Sequence, residues 1–539
     1  QSGHSYTLRP EDGKQTFTGN LNQGERIDLT VVGGGRGMRL YVYAGSDIGA
    51  DTVVYILNAE GSILRQDDDS GGNLNAMTFY TLEDTTTHYV QIYIENVPAA
   101  YRIVVGLDTP EVLDEGTFVN SVGGEGQTLS CDRVDTSFLL RPILSGATNR
   151  AESPNFVLHF TTEGIDATTR EYVVAMRDAL EASLAFQLSV GWDMPPSDCG
   201  EGGDDRIDVY IMELESQGLL GYAQPDAFVI DNPNSVIIEN RAAFAHLAME
   251  NDMSEFDNPI AVMQSTAAHE FHHLVQMGYD VRDSYAGMYE AGAVWVETQV
   301  FPEITDATRF VGDVMENPDM CIGITPRVSQ MFRIYGEWVM VESMTRDLGA
   351  NIYNLIWQEL VTDSGLAGFY KALWRLGTSP AEVVARMNVR HILRDYPSPI
   401  IEDFPRHVFV ETTATGTGDF SPSRNGVQQL AADIVRFEGQ GVYMFDVNRS
   451  VLDIYVLGVD SSTATAQLYH PGKEGIVDTR GFTDAYVVIV NTEEHPHGEA
   501  CDYLSWRLTV NEVGETMLAL AVEGELWAAP NFIPIFPEN

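Results

Sequence analysis

The stretch TAAHEFHHLVQMGYD, residues 266–280, holds residue types at spacings suited to metal-assisted hydrolysis. His269 and His273 stand four apart, one helical turn, so both imidazoles point the same way and can meet one metal ion. Glu270 lies about 100° further round the helix, where a carboxylate can reach a water without ligating the metal. The pattern is H-E-x-x-H on a helix. His272 occupies an x position and is expected at the surface or behind the ligands. A catalytic zinc takes three protein groups and one water, so a third donor must come from elsewhere. Glu290, in MYEAGAVWVETQVF, begins a second helix-like segment in which Ala293 and Glu297 follow at +3 and +7. The sixteen residues between His273 and Glu290 let the chain turn back and lay that helix on the first. The competing reading is a core helix with satisfied histidines.

The elements around the motif suit this placement. Asn258 can cap the helix, with Pro259 at its first position, and Gly278 is expected to end it in the left-handed conformation. Ile260, Met263, Ala267, Phe271, Leu274 and Val275 make the helix apolar, so the histidines do not lie on a freely solvated face. Upstream, NFVLHFTTEG reads as a strand. TTREYVVAMRDALEASLAFQLSVG reads as an amphipathic helix, with Tyr172, Met176, Ala179, Leu180 and Leu184 at helical spacing. DRIDVYIMEL reads as a buried strand and NSVIIEN as a shorter one. Helical patterns then continue to about residue 400.

HEFHH followed by YEAGAVWVE resembles the gluzincin metallopeptidases, in which a second helix supplies a glutamate from an E-x-x-A-x-x-x-E pattern. The match spans about 153–400 and includes the strand order expected before the active helix. The resemblance implies a zincin-like catalytic domain with His269, His273 and Glu290 as zinc ligands and Glu270 as general base. Glu270 would take a proton from the attacking water, whose pKa zinc lowers to roughly 7, and deliver it to the leaving amine. Tyr335, in RIYGEWVM, is the candidate oxyanion donor, against the reading of a core tyrosine with a satisfied hydroxyl. Glu297 could orient a histidine ligand or be an exposed helix charge. NSVIIEN falls where zincins place an edge strand, to which an extended peptide could add, which favours a protein or peptide substrate.

Two departures leave the subfamily open. The spacer is slightly shorter than in the best-known gluzincins, and Ala291 stands where many have glycine. Metzincins are disfavoured, since their glycine and third histidine would fall at Gln276 and Tyr279. An aminopeptidase would need a G-x-M-E-N-like amine-binding element, which is lacking. A non-catalytic surface or structural protein that retains the zincin fold is the alternative. The complete set of ligands and base argues against it.

Residues 1–108 carry short alternating strands broken by turns, such as RIDLTVVG, MRLYVYAG, HYVQIYIEN and YRIVVGL, as in a β-sandwich. The order GERIDLTV, VVYILNAEGSIL, DDDSGGN and YRIVVGL resembles the pre-peptidase C-terminal domain of secreted bacterial peptidases. In RQDDDSGGN, Asp67 and Asp69 could bind calcium, or the loop could be a solvated acidic turn. Residues 109–152 read as a linker, 153–411 as the catalytic domain, 412–515 as a second sandwich and 516–539 as a tail. The expected fold class is multidomain α+β, a zincin-like domain flanked by two all-β sandwiches.

Composition fits such a chain. Its 539 residues need several cores, and the apolar fraction of 44% supplies them. There are 79 Asp and Glu against 31 Lys and Arg, a formal −48, which repels phosphate backbones and disfavours nucleic acid. An acidic surface suits a medium rich in salt or divalent cations, or serves solubility alone. No apolar run is long enough to span a membrane. The chain starts at Gln1, as a mature form freed of a targeting segment would. Cys131, Cys199, Cys321 and Cys501 form no CxxC pair, and the pairings Cys131–Cys199 and Cys321–Cys501 are expected in a secreted or cell-surface protein.

Overall fold

The computed structural model describes residues 4–21, 25–35, 38–46, 52–59, 61, 63–67, 76–82, 85–94, 99–109, 112, 141–198, 200–229, 231–239, 241–281, 286–322, 333–363, 365–397, 400–404, 408–493 and 501–537. Cys131, Cys199, Asp69 and the side chain of Asp67 lie outside that description, and with them the first disulfide and the calcium loop. The chain forms two compact units. One comprises residues 1–132, 231–239 and 371–378; the other comprises 133–230, 240–370 and 379–539.

In the first unit the period-two pattern produces strands β1 (His4–Leu8), β2 (Gln15–Leu21), β3 (Ile27–Val31), β4 (Arg39–Ser46), β5 (Thr52–Leu57), β6 (Ile63–Asp67), β7 (Ala76–Thr81), β8 (His88–Ile94) and β9 (Ala99–Leu107). They form two sheets, of order β1-β3-β8-β5-β6 and β2-β9-β4-β7. Alternate residues of both sheets, among them Leu29, Ile56 and Ile92 from one and Val42, Ile103 and Val105 from the other, are buried in one shared core. That arrangement is a β-sandwich.

The second unit is built on a sheet of β10 (Asn149–Glu152), β11 (Phe156–Phe160), β12 (Ile207–Met212), β13 (Gly221–Phe228) and β14 (Ala243–Glu250), in the order β10-β11-β12-β14-β13. The inner strands β11, β12 and β14 run parallel, and β10 and β13 close the two edges antiparallel. Every residue of β11 and of β14 is buried, as expected for strands covered on both faces. Helix α1 (Arg170–Ser189) is capped by Thr169, whose side chain accepts from Tyr172 N, and Tyr172, Met176, Ala179, Leu180 and Leu184 are all buried. Helix α2 (Pro259–Asp280) packs on α1, β13 and β14, and α3 (Ala286–Val300) packs on α2.

Two sequence expectations fail here. NSVIIEN forms no strand over its described residues, 234–239. Asn234 N bonds Asn232 Oδ1 at 3.1 Å, and the carboxylates of Asp231 and Glu239 accept from Glu239 N and Asn232 N at 3.1 and 3.0 Å, closing the segment into a loop. Val236 and Ile238, which gave it a β appearance, are exposed. The edge strand is β13 instead. Gly278 also does not end α2, which runs on to Asp280. The buried Tyr279 holds that last turn: its hydroxyl donates to Asp193 Oδ2 at 2.8 Å and accepts from Asn354 Nδ2 at 2.9 Å. Tertiary packing overrides the glycine.

After α3 come α4 (Val311–Glu316), α5 (Arg333–Gly336), α6 (Trp338–Leu348), α7 (Ile352–Leu360), α8 (Gly365–Arg375), α9 (Pro380–Leu393) and α10 (Ile400–Asp403). The chain then returns to strands β15 (Thr412–Thr415), β16 (Gly418–Phe420), β17 (Ala432–Glu438), β18 (Val442–Val447), β19 (Leu452–Asp460), β20 (Thr465–Gly472), β21 (Glu474–Asp478), β22 (Asp484–Asn491), β23 (Leu508–Glu512) and β24 (Gly524–Ala528). Their two sheets, β15-β17-β22-β19-β20-β24 and β16-β23-β18-β21, enclose one core that includes Val456, Ile489, Phe445 and Val510. Residues 516–539, expected as a tail, carry β24, which pairs with β20. Cys321 and Cys501 form a disulfide, the expected pair. Among the described residues no helix is long and apolar enough to cross a membrane.

Candidate functional site

Asn258 caps α2 by accepting from Ala261 N at 3.4 Å, with Pro259 at the first helical position. The helix then runs buried between α1, α3 and the sheet. At its middle, His269 Nε2 and His273 Nε2 lie 3.1 Å apart. Helix α3 runs back along α2: Glu297 meets His269, Glu290 meets both histidines, and Tyr289 O meets Gln276. Glu290 Oε2 stands 3.2 Å from His269 Nε2 and 3.8 Å from His273 Nε2. Donors about 2.05 Å from a tetrahedral zinc are about 3.3 Å from one another, so these three fit one ion. Glu290 Oε2 is buried without a hydrogen-bond partner, as a ligand awaiting a cation would be.

A second layer fixes both rings. His269 Nδ1 bonds Glu297 Oε1 at 2.7 Å, and His273 Nδ1 bonds Gln276 Oε1 at 2.8 Å. Gln276 is in turn held by its Nε2, which donates to Tyr289 O at 3.1 Å. Each ring thus turns Nε2 toward the shared point, the tautomer-fixing arrangement common behind metal ligands. Sequence reasoning named Glu297 but missed Gln276, whose place at +3 from His273 was the available signal. His272 is on neither the surface nor the ligand side. It is fully buried, with Nδ1 at 2.7 Å from Gln187 Oε1 and its ring edge-on to Trp192.

Electrostatics follow the packing. Burial would lower the His269 pKa, but the carboxylates of Glu290 and Glu297 close to its ring outweigh it and leave it well above the ordinary value. Burial pushes the Glu290 carboxyl up, yet His269, His273 and Tyr335 hold it below the ordinary range. For Glu270 burial wins over the two histidines, and its carboxyl is raised. The backbone N–H of Ala223 on β13 lies near the Glu270 carboxyl and favours its charged form. Gly221 lets that strand come close: a Cβ there would stand 2.9 Å from Glu270 Cγ and 3.2 Å from Thr266 Cγ2. Tyr335, on α5, stacks its ring 5.9 Å from that of His269, and its hydroxyl lies close enough to Glu290 for each to shift the other's pKa.

The sequence-predicted residues His269, Glu270, His273, Glu290, Glu297 and Tyr335 therefore share one site, bordered by the edge strand β13. No family model matches the chain, and no curated protein matches it. Solved structures similar to parts of it include the periplasmic g-type lysozyme inhibitor PliG of Aeromonas hydrophila, at 12% identity over 20% of this chain and 99% of that one, with a TM-score of 0.16. The pre-peptidase C-terminal domain of a Bacillus anthracis collagenase is 12% identical over 19% of this chain and 93% of that one, TM-score 0.15. A functionally unknown conserved protein from Bacillus anthracis str. Ames is 9% identical over 88% of this chain and 99% of that one, TM-score 0.26. Scores this low define neither a fold nor a function for the chain.

Proposed function

We propose that this chain is a zinc-dependent endopeptidase that acts outside the cytoplasm on protein or peptide substrates. The observation that carries the proposal is the convergence of His269 Nε2, His273 Nε2 and the unpartnered Glu290 Oε2 within 3.1–3.8 Å, with Glu270 beside them. Zinc held by these three would polarise a scissile carbonyl and bring the pKa of a water to about 7. Glu270, its carboxyl raised by burial, accepts that water's proton and returns it to the leaving amine. Tyr335 donates its hydroxyl to the oxyanion. The outer edge of β13 has no strand partner among the described residues, and Gly221 and Ala223 on that strand touch Glu270. A substrate in extended conformation pairing with β13 would lay its backbone beside the base. The Cys321–Cys501 disulfide supports the extracytoplasmic compartment.

Glu270→Gln tests the reading. Glutamine cannot take the proton, so cleavage of a diverse peptide library is expected to fall about 10²–10⁴-fold while zinc content stays at the parent level. A parent that binds zinc and cleaves nothing in the library would hand the chain to the scaffold alternative.

A further inference from the structure

A second cluster lies where the helices meet the C-terminal sheets. The loop after α4 is laced to the strands: Ala432 N donates to Pro318 O at 2.8 Å, Gln428 N to Asp319 O at 3.0 Å, and Cys321 N to Gln428 Oε1 at 2.9 Å. Glu411 N donates to Ile434 O at 2.7 Å, and the disulfide from Cys321 reaches Cys501 beside them. These bonds gather Asp319, Glu411 and Asp433, which each place a carboxylate oxygen within 4.8 Å of those of the other two.

The carboxylates are 2, 3 and 0% exposed, so water does not solvate them. Glu411 Oε2 is satisfied by Ser423 N, Ser423 Oγ and Arg424 N at 2.7, 2.6 and 3.1 Å, and Asp433 Oδ2 by the Trp506 indole N–H. Asp319 Oδ1, Glu411 Oε1 and Asp433 Oδ1 have no hydrogen-bond partner. The nearest cation among the described residues is Arg424, whose Nη1 stands 3.6 Å from Asp319 Oδ1 and whose guanidinium lies over the Phe409 ring. Burial raises the Asp319 and Asp433 carboxyls, and the further guanidinium that acts on Asp319, Arg333, is itself engaged by Asp313 and Glu337. Three ionised carboxylates would therefore outnumber their cations in a dry site, an expensive arrangement without a counterion. Elsewhere in this unit three buried aspartates each meet partners at bonding distance: Arg141 pairs with Asp198, Asp208 and Asp226, and His159 and His246 bond Asp208 and Asp226 in addition.

We propose that Asp319, Glu411 and Asp433 bind a structural divalent cation, calcium, which braces the helices against the C-terminal sheets beside the disulfide. Oxygens that each sit about 2.4 Å from one ion are no more than about 4.8 Å apart, and calcium accepts irregular all-oxygen cages of this kind. Magnesium keeps most of its waters and takes one or two carboxylates, which a buried set of three suits poorly. The donor set holds no imidazole or thiolate to favour zinc.

The test uses the full chain, freed of metal on a chelating resin and given back one equivalent of zinc. Calorimetric titration with calcium chloride is expected to count one more site in the parent than in Asp433→Asn. Calcium at saturating concentration should raise the parent's Tm by about 3–6 °C and leave that of the variant unmoved. Magnesium chloride in the same titration should bind more weakly; tighter magnesium binding overturns the choice of calcium. Equal calcium counts in parent and variant overturn the site, and the trio is then a protonated cluster. If Asp433→Asn does not fold, terbium luminescence excited through tryptophan replaces it, because Trp506 is bonded to Asp433. A calcium-displaceable signal in the parent, lost in Trp506→Phe, supports the site; its absence in the parent overturns it.

Discussion

The two carboxylate-bearing clusters differ in how the chain assembles them and in what they leave open. The first takes His269, His273 and Glu290 from two consecutive helices, and their side chains keep 10, 12 and 22% of their surface exposed. Four-residue spacing alone aligns two of its donors, and a neighbouring glutamate and glutamine aim the rings. The second draws Asp319, Glu411 and Asp433 from a loop, a strand entrance and a strand, and closes them off from solvent. Zinc sites that do chemistry keep a position open, whereas sites that hold a fold are closed on all sides. Exposure, more than the number of ligands, separates the cluster suited to turnover from the one suited to bracing.

If that contrast is right, substitutions at the open site should cost rate and spare stability. After Glu270→Gln, the largest such effect is expected for Tyr335→Phe. Its hydroxyl lies beside Glu290, and losing one oxyanion donor should cut kcat about 10²–10³-fold. Zinc content and Tm should match the parent. A fall in zinc content that accounts for the lost rate would make Tyr335 a residue that positions Glu290. Glu297→Ala comes next. It frees His269 Nδ1 and should weaken zinc about 10–100-fold in a competition titration with a chelator. Unchanged zinc affinity would reduce Glu297 to a packing role.

The open site was legible because it is local. His269, Glu270 and His273 share one helix, Glu290 lies on the next, and Glu297 follows at +7, so helical periodicity placed them together. The edge strand was not legible. GYAQPDAF has one aromatic pair, a proline and little alternation, and it forms a strand because β14 offers it a ladder. NSVIIEN has the better β composition but pairs with no strand among the described residues, and its Val236 and Ile238 face solvent. Gly278 misled for the same reason, since contacts of Tyr279 distant in sequence carry α2 past it. The Asp319, Glu411 and Asp433 trio has no spacing at all to read, and only the folded chain brings it together. Both sandwiches announced themselves through alternation, although β24 lies beyond the point where that alternation had faded.

The smallest effect concerns whether a buried, unpartnered polar atom must signal a ligand. His391, on α9, is fully buried, its Nδ1 bonds the Tyr396 hydroxyl at 2.8 Å, and its Nε2 has no partner. It escapes the cost by staying neutral: burial, with a smaller contribution from Arg333, brings its pKa down from 6.5 to about 3. The folded form therefore binds its proton later than the unfolded chain as pH falls. Its contribution to stability is fully present above about pH 6.5 and is lost as pH drops through that window toward about 3. The slope approaches one proton, at most about 1.4 kcal/mol per pH unit. His391→Gln keeps an acceptor for Tyr396 and does not titrate. Urea unfolding of metal-free parent and variant between pH 6.5 and 4 should show the parent losing stability more steeply, by up to one proton. Metal-free protein is needed because release of a bound ion is itself coupled to proton uptake and would add to the slope. Parallel slopes would mean that His391 reaches solvent readily when protonated, and that an unpartnered nitrogen in this helical region is weak evidence of a sealed interior.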